Sequence, residues 1–207
     1  MQGCKGRAWH RGIWRALPPQ ANLSASLWRL RAGNAILTAR GEVSMKTLLI
    51  VYHSFTGGTR QMAEAAEAGA AGEPGIQVRL LQATAAEPGD VLAADGYIFA
   101  APENLAALSG LMKDFFDRCY YPVLGQIEGR PYALLMCAGS DGTNAVRQAQ
   151  RIATGWRLRA VAEPLIVCTH AQTPEAILAP KTIAAKDLDE CRTLGATLAA
   201  GLAMGVF

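Results

Sequence analysis

Six consecutive residues concentrate the chain's side-chain chemistry: Ser54, Phe55, Thr56, Gly57, Gly58 and Thr59, a stretch with three hydroxyls and two glycines. Glycine lets a backbone turn tightly and aim successive N–H groups inward. Hydroxyls donate to phosphate oxygens, and a helix starting here adds the positive end of its dipole. No lysine stands in the stretch, so it lacks the GxxxxGK[ST] pattern of a nucleotide-hydrolysing loop, and it is not GxGxxG. Dipoles and hydroxyls suit a phosphate monoester that is held and not transferred. The rival reading is a plain helix start, with Thr56 or Gly57 at the cap.

Two further stretches have the small or polar residues that a ligand-embracing loop needs. One runs from Ala101 through Pro102, Glu103 and Asn104 to Gly110. The other comprises Ala138, Gly139, Ser140 and Asp141, whose small residues permit close backbone approach to a flat ring. Asp141 has a second reading as the cap of a following helix. Cys137 lacks a neighbouring base and reads as a packed strand residue. No catalytic triad is suggested, and none of the three histidines, His10, His53 and His170, pairs with a second ligand at zinc spacing, so no catalytic and no metal residues are assigned.

Alternating segments must position these stretches. Residues 46–53 (KTLLIVYH) are a continuous apolar run of strand length, suited to burial on both faces. An alanine-rich helix over 59–71 follows, then the breaker GEPG at 72–75 and a strand at 76–81. A short helix or turn at 87–94 leads to a strand at 96–101, expected to stop at Pro102. Met112, Phe115, Phe116 and Cys119 form one apolar stripe of a helix over 109–121. On its wet side lie the i,i+4 pairs Lys113–Asp117 and Asp114–Arg118, read as a solvated face. A strand at 132–138, a helix at 143–155, a strand at 161–168, a loop with Pro174 and Pro180, and a helix at 185–204 complete the chain. Strands alternating with helices predict a parallel sheet covered on both faces, with ligands beyond the carboxyl ends of the strands.

S-x-T-G-x-T directly after KTLLIVYH resembles the FMN-phosphate loop of the flavodoxin-like superfamily. The loop at 101–110 with the following LMKDFFDR resembles its NAD(P)H-dependent FMN reductase branch. The resemblance covers residues 45–207. It implies an α/β, flavodoxin-like three-layer sandwich with a five-stranded parallel sheet in the order 2-1-3-4-5. It also implies non-covalent FMN, NADH or NADPH as donor, and a small-molecule acceptor such as a quinone or free flavin. Residues 54–59 would hold the phosphate, and Pro102, Glu103, Asn104 and residues 138–141 would face the ring. The chain departs from electron-carrier flavodoxins in having no Trp, Tyr or Phe in either ring loop, which leaves a flavin face open to a second planar molecule. Tyr120, Tyr121 and Trp156 lie one helix away and read as core or rim. A carrier without a substrate site is the rival function, as is a scaffold that has lost its cofactor. Homodimers or homotetramers are implied, with residues 120–127 a contact region.

Composition adds boundaries. The chain has 207 residues, 51% hydrophobic and 18% charged, which excludes a disordered or collagen-like protein. No apolar run reaches the roughly 18 residues of a membrane span. The net charge of +3 joins two unlike parts: residues 1–44 carry seven basic residues and one acid, so residues 45–207 stand at −3. The basic segment reads as an extension outside the fold, with Met45 as a candidate natural start; a transit peptide is the alternative. A domain at −3 is a weak fit to a strongly acidic carrier, and no nucleic-acid partner is expected. Five cysteines at wide spacings, with no CxxC, fit small buried hydrophobes in a reducing, cytoplasmic setting.

Overall fold

The computed structural model describes residues 45–207; the basic segment at 1–44 lies outside the described residues. The first strand explains the architecture. In β1 (Lys46–Tyr52) residues 48–51 are all fully buried. Leu48 and Ile50 point to one side of the sheet, and Leu49 and Val51 to the other. A strand apolar on both faces needs helices on both faces, and it has them. α1 (Gly58–Ala70) and α6 (Ala185–Met204) cover one side, and α2 (Pro88–Ala93), α3 (Gly110–Val123) and α4 (Thr143–Gly155) the other.

The two layers differ in chemistry. The α2–α4 side is aromatic: Phe99, Phe116 and Trp156 meet edge to face, with centroids 4.9 and 5.2 Å apart along the chain of contacts. Trp156 is thus a core residue. The α1/α6 side is built on alanine and glycine, with Ala63, Ala66, Ala70 and Ala199 fully buried. This lets the two helices approach backbone to backbone.

The remaining strands are β2 (Ile76–Gln82), β3 (Gly96–Asn104), β4 (Ala107–Leu108), β5 (Pro131–Ala138), β6 (Arg159–Ala160) and β7 (Leu165–Cys168). The sheet order is β2-β1-β3-β5-β6, with β7 also on β5 and β4 on β3. Every pairing is parallel except β3–β4. With β6 and β7 counted as one interrupted edge strand and the β4 hairpin set aside, this is the expected 2-1-3-4-5 order. Seven strands replace five for two reasons. The expected strand at 161–168 is broken: Ala160 pairs with Tyr132 and Leu165 with Leu135, so four residues on the edge face two on β5. Pro164 has no N–H to give to β5 and sits in that bulge. The strand expected to end at Pro102 instead runs on to Asn104. Its neighbour β1 pairs no further than Ala100, so Pro102 needs a partner on the β5 side alone, where it faces Cys137.

Candidate functional site

The loop after β1 is shaped by Gly57. At φ +89° it takes the left-handed conformation and occupies the N-cap position of α1 without any side-chain cap. Its N–H donates to Ser54 Oγ at 3.1 Å. Among the described residues no acceptor pairs with the amides of Gly58, Thr59 and Arg60, the first turn of α1. Three donors without acceptors at a helix N-terminus, in the same loop as the hydroxyls of Ser54 and Thr56, make a cradle of the kind that can hold an anion. Gly58 is required by space: a Cβ there would lie 2.8 Å from Cys137 Sγ and 3.3 Å from Lys181 Cβ.

Thr59 is placed differently from Ser54 and Thr56. It is 1% exposed and turned toward Cys137. Burial pushes the Cys137 thiol up, and the Thr59 hydroxyl and the Lys181 charge draw it partly back. Burial likewise holds Cys119 up at about 11 and Cys191 at about 12, so these are inert packing residues at neutral pH.

A segment read from sequence as plain loop braces the cradle. It contains α5 (Pro174–Leu178), started by Thr173, whose Oγ1 accepts from the Ala176 amide at 3.2 Å. Lys181 N–H donates to the Thr56 carbonyl at 2.8 Å. Gln61 then bridges the two pieces. Its Nε2 donates to Gly57 O at 3.1 Å and Lys181 O at 2.6 Å, and its Oε1 accepts from Ile183 N–H at 3.1 Å. The Lys181 ammonium is spent on the carbonyls of Ala176, Ile177 and Ala179 at the end of α5. Sequence reasoning missed Gln61 because two of its three partners are backbone atoms about 120 residues away.

A cleft of about 510 Å³ opens over this loop. Ser54, Phe55, Thr56 and Gly57 line it together with His53, Arg60, Leu111 and Leu178. Phe55 is 71% exposed there, an aromatic ring at the mouth.

The ring-facing candidates gather one and two strands away. Pro102 and Glu103 are half-buried and Asn104 is exposed. Ala138 is buried, Gly139 half-buried, and Ser140 and Asp141 exposed. The Pro102–Cys137 register sets these two groups side by side at the carboxyl end of the sheet. The structure thus brings 102–104 and 138–141 together, but neither group lines the 510 Å³ cleft. Asp141 does not cap α4: Gly142 (φ +82°) holds that position, and Asp141 Oδ2 accepts from the Thr143 hydroxyl at 2.6 Å. Asp141 and Glu103 both push the Cys168 thiol up, behind burial.

β3 and β4 form a hairpin whose two turn residues, Leu105 and Ala106, both have positive φ, 50° and 56°. This is the I′ geometry that Asn-Gly normally supplies. α4 holds it in place through Asn144 Nδ2 to Ala106 O at 2.6 Å and Gln148 Oε1 to Leu108 N–H at 2.9 Å. Replacing the pair (Leu105→Asn with Ala106→Gly) is expected to stabilise the fold by about 1 kcal/mol in a urea titration, since left-handed backbone costs a non-glycine residue roughly 1–2 kcal/mol. A loss of stability would show that Leu105 contributes packing that its full exposure does not reveal.

The other singled-out residues sit as follows. His170 is exposed at the end of β7. Lys113–Asp117 and Asp114–Arg118 are surface pairs at 2.7 Å. Arg118 also donates to Ala83 O at 2.8 Å, which ties α3 to the chain after β2. Tyr120 and Tyr121 flank a groove of about 430 Å³ between α3 and α4, and Tyr121 is 80% exposed. No group of three or more His, Cys, Asp or Glu able to hold a metal ion occurs among the described residues, and no described helix is long and apolar enough to cross a membrane.

A parallel sheet in this order, sandwiched by helices, with a Ser/Thr/Gly loop after the first strand, defines the flavodoxin-like class. Over residues 89–172 the sequence matches the family described as NADPH-dependent FMN reductase. A protein named "Flavodoxin" from Aquifex aeolicus (strain VF5) is 36% identical across 47% of this chain and 53% of its own length. An "NAD(P)H dehydrogenase (quinone)" from Acidithiobacillus ferrooxidans is 33% identical across 36% of this chain and 47% of its own. The chain therefore spans about half the length of these curated relatives. Among solved structures, a flavodoxin from the domain Archaea superposes with a TM-score of 0.61 at 18% identity, covering 75% of this chain and 98% of that one. A flavodoxin, WrbA-like protein from Agrobacterium tumefaciens gives 0.54 at 20%, covering 77% and 98%. The chain has the flavodoxin-like fold, and its 89–172 segment matches the FMN reductase family model.

Proposed function

We propose that the chain is an FMN-binding, NAD(P)H-dependent oxidoreductase that passes electrons to a quinone, a free flavin or another small acceptor. The observation that carries the reading is the cradle: amides of Gly58, Thr59 and Arg60 without acceptors among the described residues, beside Ser54 and Thr56. The match over residues 89–172 supports the reductase branch, because that segment includes both ring-facing loops.

In this reading residues 54–59 hold the phosphate monoester through backbone N–H groups and hydroxyls, so no net positive charge is needed. Pro102, Glu103, Asn104, Ala138, Gly139, Ser140 and Asp141 orient the ring from adjacent strand ends. FMN, when bound non-covalently, supplies the hydride- and electron-transfer chemistry. Absence of aromatic side chains from both ring loops keeps one ring face accessible to a nicotinamide and then to the acceptor. A carrier flavodoxin is the second reading, favoured by the 36% identical relative of that name. A reducing cytoplasmic location, and self-association through the Tyr120–Tyr121 face of α3, belong to the proposal.

The test is spectroscopic. Purified full-length protein titrated with FMN is expected to quench flavin fluorescence and acquire a bound-flavin visible spectrum. NADH or NADPH added without oxygen is then expected to bleach it within minutes. Protein that takes up no FMN would sink both readings. FMN uptake without bleaching by either nucleotide would leave the carrier.

A further inference from the structure

His53 follows β1 directly, outside the Ser/Thr/Gly pattern, and its ring reaches across to the start of α3. His53 Nδ1 lies 2.9 Å from Ser109 Oγ. Ser109 is fully buried and stands at the N-cap of α3, yet it makes no side-chain cap bond. A serine in that position ordinarily accepts from the helix's own amides. Here its hydroxyl has the imidazole as its one partner among the described residues. Leaving a buried donor unpaired is costlier than leaving a spare lone pair. The Ser109 proton therefore goes to Nδ1, which makes Nδ1 the acceptor and places the ring's own proton on Nε2.

The ring is also a wall of the cleft over the anion cradle, with Ser54, Thr56 and Gly57. Burial favours its neutral form. Arg60 of α1, paired with Glu64 at 3.6 Å, and Tyr52 at the end of β1 are the other ionisable side chains on the cleft. Gln82 at the end of β2, Ala83 and Thr84 after it, Leu111 of α3, and Leu178 and Pro180 are uncharged side chains on the remaining walls.

We propose that Ser109 keys His53 as a neutral imidazole that presents its Nε2 proton to the phosphate monoester in the cleft, so that the loop after β1 and the start of α3 are joined by one hydrogen bond. Ser109 is the positioning residue in this scheme; His53 binds the phosphate and takes no part in electron transfer. The scheme rests on the phosphate assignment of the preceding section, and it adds a donor outside the hydroxyl-glycine pattern.

The closing experiment uses full-length protein with ¹⁵N-labelled histidine. Above its titration range, His53 is expected to show a protonated Nε2 and a bare Nδ1. Inorganic phosphate, and separately FMN, are expected to shift the Nε2 signal and raise the pH at which the ring titrates, because a nearby dianion favours the charged ring. Ser109→Ala is expected to remove the tautomer preference. His53→Phe is expected to weaken FMN binding by roughly tenfold, the scale of one lost hydrogen bond to a charged group, with His53→Gln restoring most of it through its amide donor. An Nδ1-protonated ring, or a titration moved by neither phosphate nor FMN, would overturn the proposal even if FMN binds well. Wild-type protein that binds no FMN defeats the functional reading instead, and the phosphate titration of His53 then still decides the proposal.

Discussion

Gly195→Ala is expected to unfold the domain or leave it at least about 3 kcal/mol less stable, at or beyond the upper end for overpacking a core. A Cβ at Gly195 of α6 would lie 2.0 Å from the carbonyl oxygen of Ala66 in α1. The contact is reciprocal: a Cβ at Gly69 of α1 would lie 2.0 Å from the carbonyl oxygen of Arg192 in α6. Both obstacles are helix backbone, which cannot swing aside as a side chain can. Relief requires the two helices to separate, and separation opens the alanine layer that covers Leu48 and Ile50. The consequence reaches the cradle, because Gly58–Arg60 form the first turn of the same helix α1. Gly201→Ala is the control. Its Cβ would meet the ring of Phe207 at 2.1 Å, but that obstacle is the outer edge of a side chain, which can rotate aside where backbone cannot. Urea midpoints should fall steeply for Gly195→Ala and Gly69→Ala and little for Gly201→Ala. Equal, small shifts in all three would show that α1 and α6 are not packed this closely.

That seam was not legible beforehand, and the reason is physical. Each glycine of Gly69 and Gly195 sits inside an alanine-rich helix, where sequence alone reads it as a weak point. Its purpose appears only when a second helix, more than 100 residues away, is laid against it. The strands were legible, because residues 48–51 must be apolar on alternating sides of one sheet, and that leaves a continuous run. The helix α6 runs over the expected 185–204, with Asp187 in its first turn; the structure adds Gly205 in the left-handed conformation past its last. Pro102 misled because a proline bars a strand only where its missing N–H would be used, and β1 had already ended. The site divides in the same way. The Ser/Thr/Gly loop is written in contiguous residues. Gln61 and the His53–Ser109 link depend on partners brought from distant elements, and no spacing rule marks them.

Thr56→Ala combined with Thr59→Ala is expected to weaken FMN by about 1–3 kcal/mol, roughly ten- to hundredfold, the range for polar groups left without partners. The two positions should contribute unequally. Thr56 is half-buried on the wall of the cleft, and its carbonyl is already held by Lys181. Losing its hydroxyl removes a donor and little else. Thr59 is buried against Cys137, so Thr59→Ala also leaves a gap behind Gly58, and Thr59→Val is the cleaner change because it keeps the volume. With the hydroxyl gone, the Lys181 charge alone offsets burial at Cys137, and its thiol should move further up. A thiol-trapping reagent should then react at Cys137 more slowly in Thr59→Val than in the parent, in the absence of any flavin. Slower trapping with unchanged FMN affinity would place the Thr59 hydroxyl in the support behind the cradle and leave the phosphate to the amides of α1 and to Ser54 and Thr56. Unchanged affinity in the double variant as well would give neither threonine hydroxyl a part in holding the phosphate.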